Sequence, residues 1–318
     1  MTDVRPDALP LATGRVAGIG LVLGGIASTQ FGAAVAASLF PRLGALGVVS
    51  LRLGFAAAVL LIVCRPTLRG YRRSDWAVIF AFGVAMGGMN ALFYQAIDRI
   101  PQGAAVTFEV LGPLVLSVVA ARKATAWLWA ALALAGVVLL GRGGFDQLNL
   151  PGVAFALGAA AMWAAYILLS ARTGSRFPKV DGLALAMTVA AVLTLPLGVA
   201  DAGNALLDPG SLALGLAVAL LSSALPYTVE MLSLRRLSPS SFAVLQSLAP
   251  AVAVVAGFLV LHQKLAFTEV VAIVMVVIAS AGAVYASRKP APSVPGLSGR
   301  CRRTARVRAC WRPWPGWR

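Results

Sequence analysis

Apolar residues run in blocks about twenty long, separated by short polar or Pro/Gly stretches, without the two-residue alternation of a half-buried strand. A bilayer core of ~30 Å takes ~20 residues of helix. The blocks therefore predict spans at 16–40, 46–64, 76–97, 102–121, 125–141, 151–171, 182–200, 210–234, 239–261 and 267–287. The expected fold is all-α and integral to the membrane, with ten transmembrane helices. No block has the alternating pattern of a barrel strand. The first block is too long for the h-region of a signal peptide and is followed by further spans. The connections leave no room for a soluble domain, and the one long appendage follows residue 287.

Composition agrees with the pattern: 59% of the residues are hydrophobic and 12% charged, too few charges to cover a soluble domain. The three cysteines, 64, 301 and 310, have no metal-ligand or disulfide-framework spacing. A net charge of +16 would suggest nucleic acid in a soluble protein, but in a membrane protein its placement matters more. The loops on the side of both termini carry 22 Lys and Arg and the other loops carry 4, with Arg52 inside a span. Leaving out the seven arginines beyond residue 299 still gives 15 against 4, so both termini are expected in the cytoplasm.

A shift of 137 residues lays the second half on the first: Ser38, Phe40, Pro41 and Arg42 fall on Ser175, Phe177, Pro178 and Lys179. Arg99, Leu111 and Pro113 fall on Arg236, Leu248 and Pro250, with Glu109 opposite Gln246. Each half then holds five spans, and an odd number sends the second copy through the membrane upside down. Two inverted five-helix repeats are a sequence mark of secondary transporters, whose substrate sites lie near the midplane between the halves. The expected organisation is a cytoplasmic N-terminus over 1–15, repeats over 16–142 and 151–288, and a basic tail over 289–318. The tail has no helical periodicity and reads as disordered, with attraction to anionic headgroups as its secondary role.

Gly20 and Gly24 on the first span and Gly87 and Gly88 on the third are expected to let helices approach closely. Pro113, Pro226 and Pro250 each remove a backbone donor and free a carbonyl, so kinks are expected there.

Three charged residues lie within the spans away from their ends: Arg52, Glu109 and Glu230. An ionisable group at depth costs ~2.5–3.5 kcal/mol on insertion scales and normally faces the bundle interior or a watery cavity. Glu109 stands eight residues past Pro101, about 12 Å into the core, which makes it a candidate proton carrier. Arg52 could pair with it in the empty site or hold a substrate carboxylate in the filled one; a structural ion pair or snorkelling is the competing account. Glu230 lies a turn from Arg235 and Arg236, and snorkelling suits it best. A polar and aromatic set surrounds these charges: Gln30, Asn90, Tyr94, Gln95, Thr107, Trp163, Tyr166, Tyr227 and Gln246. Asn90 and Tyr94 share a helix face, as do Trp163 and Tyr166. Interhelical hydrogen bonding is the alternative for the amides, and interface anchoring, assigned to Trp76, Trp127 and Trp129, is the alternative for the aromatics.

The stretches GGMNALFYQAI (87–97), QGAAVTFEVLGPL (102–114), ALGAAAMWAAYIL (156–168) and SSALPYTVEML (222–232) together resemble the drug/metabolite transporter superfamily, and within it EamA-type carriers of the threonine and homoserine exporter kind. The resemblance covers about residues 16 to 288. It implies an inner-membrane carrier that exports small amino acids and is driven by protons. Arg52, Asn90, Glu109, Trp163, Tyr166, Pro226, Tyr227 and Glu230 fall on its motif positions. Two positions depart from it: Ala249-Pro250 stands where the family commonly has Glu-Pro, and His262-Gln263 where it commonly has Gly-Glu. These departures leave open a carrier of the same fold for another small metabolite or drug.

The expected partners are thus a small-molecule substrate, protons and the lipid bilayer, with a homodimer left open and no nucleic acid. No cofactor or metal is expected. An intramembrane enzyme would need a catalytic constellation, and one histidine without an HExxH pair or phosphate loop does not supply it. His262 is expected in a solvated loop.

Overall fold

The computed structural model describes residues 9–66, 68, 70–121, 124–142, 149–177, 181–226, 229, 245–263 and 266–286. Tyr227, Glu230 and the 289–318 tail lie outside the described residues. The described residues form helices α1 (Leu9–Ala37), α2 (Phe40–Cys64), α3 (Arg73–Ile97), α4 (Gln102–Glu109), α5 (Leu111–Ala121), α6 (Ala124–Arg142), α7 (Leu150–Arg176) and α8 (Asp181–Ala202). After a 3-10 turn over Gly203–Leu207 come α9 (Pro209–Ala219), a π-turn over Leu220–Ala224, α10 (Ala249–Leu261) and α11 (Phe267–Ala286). No strand occurs among them.

Five stretches are long and apolar enough to cross a bilayer: Ala17–Ala37, Phe40–Cys64, Arg73–Ile97, Leu150–Gly174 and Asp181–Leu207. Shorter apolar helices cover Gln102–Leu116, Trp127–Val137, Pro209–Ser223, Ala249–Leu261 and Val270–Gly282. The expected fourth span loosens at Val110 between α4 and α5, where the backbone stays helical at φ −62° and ψ −18° but Pro113 leaves the Glu109 carbonyl without its N–H. The ninth breaks in a turn at Ser247–Leu248, so that Pro250 falls in the first turn of α10, where a missing N–H costs nothing. Pro250 is therefore not the mid-span kink that the sequence suggests; it starts a half-helix.

The first expected span also ends early, at Ala37, and residues 40–45 belong to α2. Pro41 starts that helix, which then breaks at Gly44, at φ 65° and ψ 164°. The Leu46 N–H donates across the break to the Asp201 carboxylate at 2.9 Å, and a Cβ on Gly44 would lie 2.1 Å from the same carboxylate. Only glycine fits both the dihedral and the contact.

The bundle packs α2 on α8, α3 on α7 and α8, α6 on α11, α1 on α10, and α4 on α7 and α10. Gly87 and Gly88 behave as expected, with a Cβ on either meeting Ala190 of α8 or Met162 of α7 at 3.3–3.4 Å. Gly20 and Gly24 do not: nothing among the described residues lies within 4 Å of the position a Cβ would take. Large apolar side chains such as Phe80, Leu134, Leu195, Phe258 and Ile278 are exposed on the outside of the helices, as a lipid-covered surface requires. Trp76 and Trp127 are exposed with them, whereas Trp129 lies against Gly282.

Candidate functional site

A cavity of about 470 Å³ opens among α1, α2, α3, α4, α5, α7, α10, α11 and the π-turn, within the ~300–1,000 Å³ usual for small-molecule sites. Of the residues singled out in the sequence it is lined by Gln30, Arg52, Asn90, Glu109, Trp163, Tyr166 and Gln246. These come from six different helical segments, so no single stretch of sequence could have displayed them as a group.

The π-turn supplies the fixed frame for Arg52. In an α-helix the Ser222 carbonyl would receive the N–H of residue 226, which is Pro226 and has none. The helix widens instead, with the Leu225 N–H reaching the Leu220 carbonyl. The freed carbonyls are taken by side chains from other helices. Ser28 Oγ donates to the Leu221 carbonyl at 2.6 Å, and Arg52 Nη2 donates to the Ser222 carbonyl at 3.0 Å. Arg52 also donates from Nε to Ser223 Oγ at 3.2 Å and from Nη1 to Tyr94 Oη at 3.0 Å, with its Cζ 5.4 Å from the centre of the Tyr94 ring.

Arg52 is 8% exposed, so its charge is nearly withdrawn from water. All three acceptors are neutral. The expected ion pair with Glu109 is not formed: among the described residues the ion pairs are Arg42–Asp208, Arg99–Asp98 and Arg176–Asp75. Tyr94 holds the guanidinium from the protein side and does not line the cavity, so it is not the wall residue that its shared face with Asn90 suggests.

Glu109 is the last residue of α4, beside the loosened turn at Val110. It is half-buried and faces the cavity, and no donor among the described residues reaches its carboxylate. Gly112, just beyond that turn, brings α5 onto the backbone of α7, since a Cβ there would lie 2.0 Å from the Ala160 carbonyl oxygen. Across the cavity Gln246 stands one residue before the break at Ser247–Leu248.

The remaining polar wall is largely bonded to the protein. Asn90 Nδ2 donates to the Met86 carbonyl at 2.9 Å and Thr29 Oγ1 to the Gly25 carbonyl at 3.0 Å. Gln102, fully buried, donates from Nε2 to the Gln30 backbone carbonyl at 2.9 Å and to Gln30 Oε1 at 3.2 Å. Its own backbone N–H is capped by Gln263 Oε1 at 3.1 Å. Thr107 and Gln95 do not join the site: Thr107 Oγ1 donates to the Gly103 carbonyl and Gln95 receives Arg99. His262 is an exposed left-handed cap at the end of α10.

Sequence reasoning missed Ser222, Ser223, Ser170, Ser247 and Ser280, all buried or half-buried near the cavity. The one signal was the spacing of Ser222 from Pro226, which marks an orphaned carbonyl. Among the described residues no group of three or more His, Cys, Asp or Glu could hold a metal ion. What the chamber offers is a cation with spare donors and an acid with spare acceptors, lined otherwise by residues such as Val22, Ile26, Met89, Val110 and Leu114.

Residues 150–285 match the EamA-like transporter family. The chain is 38% identical to the threonine/homoserine exporter RhtA of Escherichia coli strain K12 over 271 residues, covering 85% of this chain and 92% of that protein. It is equally 38% identical to the threonine/homoserine exporter RhtA of Salmonella typhimurium strain LT2 over 266 residues, covering 83% and 90%. A solved crystal structure matches the fold with a TM-score of 0.53 at 20% identity, over 86% of this chain and 96% of that one.

Proposed function

The chain belongs to the EamA-like transporter family and is a multi-pass membrane transporter, not an enzyme, and from that premise we propose that it exports small amino acids such as threonine and homoserine. Its ten helices form two inverted repeats, over 16–142 and 151–288, in the inner membrane with both termini in the cytoplasm. Solute passes by alternating access, coupled to protons through Glu109.

The observation that carries this reading is the chamber itself: among the described residues a buried Arg52 ion-paired to no acid and a Glu109 bonded to no donor face one cavity. An amino acid has the complementary pair of charges. Its carboxylate suits Arg52 and its ammonium suits Glu109, at the negative end of α4.

The repeat has support from the same place. Under the 137-residue shift, Ile26, Thr29, Gln30, Ala33, Met89, Glu109 and Val110 fall on Trp163, Tyr166, Ile167, Ser170, Pro226, Gln246 and Ser247, and every one of these residues lines the cavity. The loosened turn at Val110 and the break at Ser247 are partners under that shift. Interrupted helices at corresponding positions of two halves are what an inverted-repeat carrier places at its binding site.

Export of labelled threonine from cells, and from proteoliposomes loaded with it, tests the reading. Glu109→Gln is expected to abolish proton-coupled export while the protein still inserts; undiminished export by this variant would discard the role of Glu109. A second reading, a carrier of another metabolite or drug, is favoured by Ala249 on the cavity wall, where the family resemblance implies an acid. Transport of a hydrophobic drug with no amino-acid flux would select it.

A further inference from the structure

The guanidinium of Arg52 gives three of its five N–H groups to described residues. Nε, Nη1 and Nη2 each give a hydrogen bond to Ser223, Tyr94 and the Ser222 carbonyl respectively, which leaves an N–H on each of Nη1 and Nη2 without a protein acceptor among the described residues. A buried guanidinium whose described hydrogen-bond acceptors are all neutral oxygens is under-compensated by them, and a planar pair of free N–H groups matches a carboxylate. Its orientation depends on two features unrelated to charge. The Tyr94 hydroxyl lies on α3, fully buried and off the cavity wall. The Ser222 carbonyl lacks its α-helical partner because Pro226 has no N–H.

We propose that Tyr94 and Pro226 are positioning residues for carboxylate recognition: together they clamp Arg52 so that its free edge faces the solute. The proposal rests on the reading that Arg52 meets the solute's carboxylate. It also gives the π-turn a task, since the widened turn and its proline deliver the acceptor that sets the guanidinium plane.

The test uses the full chain in proteoliposomes, measuring uptake of labelled threonine and its competition by unlabelled threonine and by threonine amide, which lacks the carboxylate. In the wild type the acid should compete much better than the amide. Tyr94→Phe removes one oxygen and keeps the ring. It is expected to raise the half-saturation for threonine on the order of tenfold, with little change in maximal rate or in competition by the amide. Pro226→Ala restores an N–H to the Ser222 carbonyl and should shift the acid alone in the same direction. Equal competition by acid and amide in the wild type would remove Arg52 from carboxylate recognition altogether. Intact discrimination in both variants, or an equal shift for acid and amide, would overturn the clamp and leave Arg52's role standing.

Discussion

Two buried polar clusters share the interior, and they are built differently. Around Gln102 the donors are all taken: its amide nitrogen serves Gln30, and Gln263 caps its backbone, tying α1 and α4 to the end of α10, with only its own Oε1 left without a partner among the described residues. Around Arg52 and Glu109 the protein stops short. Arg52 meets only neutral oxygens and Glu109 meets no donor among the described residues, although both lie on one cavity. A cluster whose donors are all held by neighbouring helices ties those helices together. An open one holds unsatisfied capacity that a passing solute can fill, so the contrast separates architecture from binding.

The contrast can be broken by substitution. Arg52→Leu should have the largest effect, lowering threonine export by ~100-fold or more in protein that reaches the membrane, because a buried charge-to-charge contact is lost. Export within a few-fold of wild type would end the distinction between the clusters. Gln102→Leu should act on the other side of the comparison. It costs about 1–3 kcal/mol of stability through the unsatisfied Gln30 oxygen, read as an earlier thermal unfolding in detergent, and leaves half-saturation nearly unchanged. A large change in half-saturation would mean that the glutamine cluster takes part in binding. Arg42→Ala is the smallest: its pair with Asp208 at 2.7 Å is exposed, 54% and 40%, and is worth ~0–1 kcal/mol at most, less in high salt. Unfolding within a degree or two of wild type is the expected result.

The amphipathic economy of a membrane chain made much of this legible. Blocks of apolar residues gave the helices, because a bilayer admits little else, and rare charges within those blocks pointed to Arg52 and Glu109. Gln30, Asn90, Trp163, Tyr166 and Gln246 were legible for the same reason and do line the cavity. Tyr94 was legible as polar but not as a residue behind Arg52, since a shared helix face does not say which neighbour the face meets. The serines were silent because a hydroxyl among alanines and leucines is ordinary. Gly20 and Gly24 were misleading, as small size permits close approach without causing it.

By itself the sequence determined where helices could form, which groups would be too costly to leave in lipid, and where prolines would orphan a carbonyl. Only the tertiary structure decided who would answer those orphans: Arg52 for Ser222, Ser28 for Leu221 and Asp201 for the break at Gly44. Local chemistry sets the demand for a hydrogen bond along one helix. The partner arrives from another, and its arrival depends on how the whole bundle packs.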